Sequence, residues 1–199
     1  MIRFCSTRAK TDKKPAQYGA YHHNPVNVGI HMTFVPILLA TGFLLATNSP
    51  TLFSLPEALQ YEYLPPNLGT IAGFLYSIIY ILLEPVAGAL IAPGIIATTA
   101  FVNYLTMTYG LTATYWAAGV HVLSWVVQFI GHGVFEKRAP ALLDNLLQAF
   151  LLAPLFVWME ILFALGYRPE LKSRLDKAVE QEIARFRQQN GSAKAAAAK

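Results

Sequence analysis

The sequence predicts an all-α protein: an integral membrane helical bundle of four to five transmembrane helices with a C-terminal amphipathic helix. Three observations predict it. Hydrophobic residues make up 55% of the 199 residues and charged residues only 13%, where a soluble domain carries about 25% charged. The apolar residues gather in long runs rather than in the short alternating runs of strands. The basic residues flank those runs: Lys and Arg occur at positions 3 to 14, at 137 and 138, and from 168 onward, with none between Pro15 and Glu136.

Residues 1–17 are a polar, basic segment, 18–168 the membrane domain, and 169–199 an amphipathic helix with a low-complexity tail. The membrane domain holds five apolar stretches, at about 29–46, 69–92, 94–109, 111–131 and 141–165. A crossing helix needs roughly 17–25 apolar residues, which all but the third supply. The third carries Asn103 and several threonines, and Pro93-Gly94 and Gly110 punctuate it, predicting tight turns between antiparallel helices. The fifth contains Pro154, which removes a helix hydrogen bond and favours a kink.

Between the first two stretches, residues 48–68 hold Pro50, Pro56, Pro65, Pro66, Glu57 and Glu62 but no Lys or Arg. The positive-inside rule puts that loop in the lumen and the basic N-terminus in the cytosol. Four crossings return Lys137 and Arg138 to the cytosol. A fifth full crossing would carry the basic tail into the lumen, so the fifth stretch is expected to be re-entrant or a kinked hairpin. Beyond it, Leu171, Leu175, Val179, Ile183 and Phe186 recur at helical spacing among charged residues, the pattern of an amphipathic helix.

Several classes drop out. The net charge of +4 is not clustered on a folded face, as a nucleic-acid surface requires, so no nucleic acid is expected. Cys5 is the only cysteine, which leaves no disulfide framework or thiolate cluster. No cleavable signal peptide is evident, because the first apolar stretch begins near Gly29 without a clear small-residue cleavage site.

The five histidines fall in two clusters, YHHNPVNVGIH at 21–31 and HVLSWVVQFIGH at 121–132. In the expected topology His22 and His31 stand at the cytosolic entrance of the first helix, and His132 at the cytosolic exit of the fourth. Imidazole suits iron, copper and zinc. His22 and His31 would lie on opposite faces of a continuous helix, but Asn24-Pro25 makes a break there plausible, and Asn27 is placed to hold the turn or orient a ligand. His121, Gln128 and His132 share a helix face, yet His121 and His132 lie roughly 16 Å apart along a straight axis. One metal held by both requires a break, which Gly131 and Gly133 permit; otherwise a second metal exists or His121 is a deeper polar partner. His23 is the one expected to have no role. Glu84 and Glu160 sit within apolar stretches, where a carboxylate needs a partner, and either is a candidate to complete a His/carboxylate site. Lys137 and Arg138, beside His132, can grip a substrate carboxylate or simply mark the cytosolic side.

At these residues the sequence resembles a known family, the fungal 2-hydroxy fatty acid dioxygenases of phytosphingosine breakdown, with bacterial relatives. The resemblance rests on Tyr21-His22, Asn27 and His31, on WVVQFIGH at 125–132, on EKRAPALLDN at 136–145 and on APLFVWMEILFALGY at 153–167, and covers roughly 18–168. It implies a multi-pass enzyme of the endoplasmic-reticulum membrane, its active site facing the cytosol, that uses Fe(2+) and O2 to shorten a long-chain 2-hydroxy fatty acid by one carbon with release of CO2. It also implies metal ligands at His22, His31, His121 and His132. His22, His31 and His132 are then the catalytic residues, and Asn27, Gln128, Lys137 and Arg138 the candidates for substrate contact, with membrane lipid as the surrounding partner. A diiron hydroxylase or desaturase would show repeated HxxH motifs, and the chain has none. A non-enzymatic scaffold or small transporter would bind no metal and tolerate loss of His22 and His132.

Overall fold

The computed structural model describes residues 24–136, 146–181 and 184. Among them are six α-helices and no strand. Helix α1 (Pro25–Thr47) is started by Asn24, an extended residue whose side chain accepts from the Val26 N–H at 2.9 Å, with Pro25 at the first helical position. Proline is harmless there because that N–H has no helical partner anyway. A connection with one 3₁₀ turn (Glu57–Leu59) leads to α2 (Leu68–Leu83), capped by Asn67, which accepts from the Thr70 N–H at 2.9 Å. Helix α3 (Pro85–Tyr109) and helix α4 (Leu111–Ile130) follow, and α4 passes directly into a π-helical turn (Gly131–Glu136). Helix α5 (Leu146–Ala164) is bent by 120° from α6 (Pro169–Gln181).

Two expected breaks lie elsewhere. The helix is continuous through Pro93, so the expected turn at Pro93-Gly94 is corrected to Glu84-Pro85. There Glu84 is extended (φ −141°, ψ 95°) and Pro85 opens α3. A proline at a helix start loses nothing, whereas the interior Pro93 forfeits one hydrogen bond but leaves a helix long enough to span. Likewise α5 runs unbroken through Pro154. The chain turns instead at Gly166 (φ +86°) and Arg168 (φ +46°), a left-handed geometry that glycine adopts without strain.

Helices α1 to α4 alternate in direction. The C-terminal ends of α1 and α3 meet the N-terminal ends of α2 and α4 through Thr47–Thr106 (2.7 Å), Asn67–Asn103 (2.7 Å) and Thr114–Asn48 (2.9 Å). Gly110 (φ +52°) makes the one-residue turn from α3 to α4. Between these polar contacts and the opposite end the core is apolar, built on Phe43, Leu44, Tyr80, Ile95, Val102, Ala117 and Leu155.

Helices α1, α3 and α4 with its π turn are long and apolar enough to cross a membrane, and the bent α5–α6 pair is a fourth candidate. Helix α2 has 16 residues and rises about 24 Å, short of the ~30 Å hydrocarbon core, yet α1 and α3 run the same way, so α2 returns the chain between them. Around the end where α1 finishes, Tyr61, Tyr63, Tyr104, Tyr109, Tyr115 and Trp116 are exposed, the placement of an interfacial aromatic belt.

Helix α5 does not follow the full length of the bundle. Its first turns lie beside the middle of α2, where Tyr76 and Tyr80 donate to the Phe150 and Leu151 carbonyls at 3.1 and 2.9 Å. Trp158 then donates to the Ala87 carbonyl at 2.9 Å. Past its end, Arg168 pairs with Glu84 at 2.9 Å and Tyr167 donates to Glu84 at 3.1 Å. It therefore emerges at the end where α1 begins and α4 finishes. Over its described residues helix α6 is amphipathic, with Leu171, Leu175 and Val179 half-buried and its charged positions mostly exposed; Ile183 and Phe186 lie outside the described residues.

Candidate metal centre

The contact between α1 and α4 is a polar seam inside an apolar bundle. At helical spacing α1 buries Asn27 and His31 on one face, and α4 with its π turn buries Ser124, Gln128 and His132. Polar side chains at this depth are expensive unless they serve a purpose or find partners. Ser124 donates to the Val120 carbonyl at 2.7 Å, which satisfies it within its own helix.

At the open end of the seam the structure brings His31 and His132 together. Their ring centroids are 4.9 Å apart, edge to face, and both rings are about 95% buried. The His31 Nδ1 lies 2.9 Å from the Asn27 carbonyl oxygen. A carbonyl only accepts, so Nδ1 carries the proton and Nε2 carries the lone pair, the arrangement in which a second group fixes the tautomer of a ligating imidazole. Imidazole nitrogens bind first-row metals at about 2.0–2.1 Å, and these two rings are direct neighbours in the buried seam.

Two backbone features make the pair possible. His132 sits in the π-helical turn, a local winding frequent at functional sites because it re-aims side chains. The expected break at Gly131 is thus a change of winding: Gly131 keeps helical angles (φ −52°, ψ −51°). Gly131 also lets α4 close on α1, since a Cβ there would stand 2.5 Å from the Asn27 Oδ1 and 3.3 Å from the Ile30 Cδ1. Asn27 itself is fully buried, and beside this seat the Gln128 Nε2 is buried with no hydrogen-bond partner among the described residues.

Of the other residues the sequence singles out, His121 is not brought to this pair. Helix α4 is continuous between them, which sets His121 roughly 16 Å deeper along the axis. Its Nε2 accepts from the Trp125 indole at 3.0 Å and its Nδ1 lies 2.8 Å from the Thr41 hydroxyl. Glu84 is held by Arg168 and Tyr167, and Glu160 lies on an exposed position of α5. Among the described residues no three His, Cys, Asp or Glu side chains converge on a point that could hold a metal. His22, His23, Lys137 and Arg138 lie outside the described residues. The sequence reading missed the Asn27 carbonyl, Thr41 and Trp125. Trp125 lies one turn from His121 on the same face, a signal that the i, i+4 rule offers.

Fold and site together define a class: a helical membrane protein with paired buried imidazoles at one end of the bundle. The chain belongs to the family described as 2-hydroxy-palmitic acid dioxygenase Mpo1-like, which matches it over residues 9–165. It is 37% identical over 173 residues to the 2-hydroxy-palmitic acid dioxygenase MPO1 of Saccharomyces cerevisiae (strain ATCC 204508 / S288c), across 86% of this chain and 91% of that protein. No solved structure matches the chain.

Proposed function

We propose that this chain is an Fe(II)-dependent dioxygenase that shortens long-chain 2-hydroxy fatty acids by one carbon, as in the degradation of sphingoid bases, from the endoplasmic-reticulum membrane with its site toward the cytosol. The observation that carries the reading is the buried His31–His132 pair, with His31 held in the tautomer that presents Nε2. Family membership and the 37% identical yeast enzyme supply the substrate class.

The residues present fit an imidazole-bound metal. Two buried rings are direct neighbours, buried amides of Asn27 and Gln128 border them, and the single cysteine, Cys5, offers no competing thiolate cluster. His31 and His132 would hold the iron, with His22, two residues before the Asn24 cap, as the third imidazole. When bound, the iron supplies Lewis acidity toward the 2-hydroxycarboxylate and the means of reducing O2.

The reaction balances without an external reductant. A 2-hydroxy acid plus O2 gives the acid one carbon shorter, CO2 and H2O; the C1–C2 bond breaks, and the four electrons lost by the substrate reduce O2. The position of the pair suits an amphiphile. His132 comes 16 residues after Trp116 in the aromatic belt, about 24 Å of helix, which would set the pair near the far boundary of a ~30 Å hydrocarbon core. An acyl chain would stay in the bilayer while its carboxylate and 2-hydroxyl reach the imidazoles. Asn27 and Gln128 would orient that polar head, and Lys137 and Arg138 would offset the carboxylate charge.

The test is anaerobic loading of purified protein with Fe(II) and 2-hydroxypalmitate, then O2. The expected result is the fatty acid one carbon shorter and CO2, in equal amounts to the O2 consumed. Turnover at the full rate after chelation of iron would reject the reading.

A further inference from the structure

We propose that His121 is a positioning residue that locks the register of α1 against α4, and so sets His31 opposite His132, rather than a ligand to the iron. This rests on the iron reading above and assigns a role to a histidine that the reaction does not otherwise use.

The hydrogen bonds settle the tautomer. The Trp125 Nε1–H can only donate, so the His121 Nε2, at 3.0 Å, is the acceptor and the ring proton is on Nδ1. Nδ1–H therefore donates to the Thr41 Oγ1 at 2.8 Å. The Thr41 hydroxyl in turn donates to the Ile37 carbonyl at 2.8 Å or the Leu38 carbonyl at 3.2 Å. The chain runs in one direction, from the indole through the imidazole to a hydroxyl and a carbonyl. Both imidazole nitrogens are used, and no lone pair remains for a metal. In a hydrocarbon surround this satisfaction is what permits a histidine at all.

The spacing shows what the lock does. Toward the belt, the next rung of the seam is Thr114–Asn48 at 2.9 Å, seven residues from each member of the Thr41–His121 rung. Toward the site, His31 lies ten residues from Thr41, and His132 lies eleven from His121. His132 stands second in the π-helical turn that begins at Gly131, a winding that re-aims side chains relative to an α turn. With Thr41 tied to His121, the two metal-site histidines arrive face to face. A slip at this rung would carry His31 past His132.

Gln is the discriminating replacement, because its amide keeps one donor for Thr41 and one acceptor for Trp125 but is a poor iron ligand. The experiment compares H121Q, H121L, T41V and H132Q by iron bound per chain, thermal unfolding in detergent and Trp125 emission in a W116F/W158F background. H121L is expected to weaken iron binding about 10–100-fold, the usual effect of losing a supporting contact, to lower the melting temperature and to shift Trp125 emission. T41V should match it, and H121Q should restore all three. If folded H121Q loses iron as completely as H132Q, His121 is a ligand and the proposal fails. If the wild-type protein binds no iron, the reading of function fails by itself. The register lock is then decided by melting and emission, and failure of H121Q to restore both overturns it.

Discussion

Gly131 and Gly133 flank His132 in the same π-helical turn, and they should respond oppositely to the same substitution. An Ala Cβ at 131 would stand 2.5 Å from the Asn27 Oδ1 and 3.3 Å from the Ile30 Cδ1, whereas one at 133 meets nothing within 4 Å among the described residues. Carbon and oxygen settle near 3.5 Å, so Gly131→Ala must separate the two surfaces by about 1 Å. Asn27 is fully buried and cannot swing into open space. Such overpacking costs about 1–3 kcal/mol. At about 2–4 °C per kcal/mol for a chain of this size, the melting temperature should fall by roughly 2–12 °C. The same displacement shifts the carbonyl-bearing turn that holds His31, so iron occupancy should fall with it. Gly133→Ala should leave the melting temperature unchanged or raise it slightly, because removing glycine from a helical turn reduces the entropy of the unfolded chain by about 0.4–1 kcal/mol. Detergent melting curves and iron per chain on the two variants are the assay. Equal effects of the two substitutions would refute the close approach of α1 and the π turn.

At the opposite end, Asn103 bonds to Asn67, Thr70 and the Thr99 carbonyl, so Asn103→Ala should destabilise by about 1–3 kcal/mol, at roughly 0.6 kcal/mol or more for each bond within a membrane. Iron per chain should stay constant, and a loss of iron before any melting would contradict the separation of the two ends. Replacing Arg168 by Ala should cost little, under about 1 kcal/mol, since its side chain is 38% exposed and solvent screens the pair; proteolysis of the 165–168 bend should nevertheless accelerate. Burial first, then the charge and hydrogen bond of Glu84, raise the Tyr167 phenol above its ordinary value of 10.0. A raised pKa stabilises below the unfolded value and loses that contribution as pH climbs through the folded one. Alkaline titration should therefore loosen the bend in the wild type but leave Tyr167→Phe unaffected, and identical alkaline profiles would count against the contact.

The helices were legible because uninterrupted apolar runs leave few alternatives in a bilayer. Their breaks were not, because proline reads alike at a helix start and in its interior. Pro85 and Pro93 are indistinguishable until the packing of α2 on α3 is known, and Pro154 carries no visible sign that Gly166 makes the bend. For the site, the two histidine clusters indicated which residues would share one end of the bundle, and the structure joins His31 with His132. The sequence also exposed the problem of His121, since its distance from His132 follows from helix rise alone. The answer was hidden because Thr41 lies eighty residues away on another helix. The role of the Asn27 backbone was equally invisible, since any residue supplies a carbonyl and only the fold directs it to an imidazole.

The central claim is that His31 and His132 hold one iron. Its most direct measurement is iron bound per folded chain, after anaerobic reconstitution, in the wild type and in His31→Ala and His132→Ala. One iron per wild-type chain, with both variants folded yet stripped of it and of 2-hydroxypalmitate-dependent O2 uptake, is the predicted result. Full iron occupancy in either variant would contradict it.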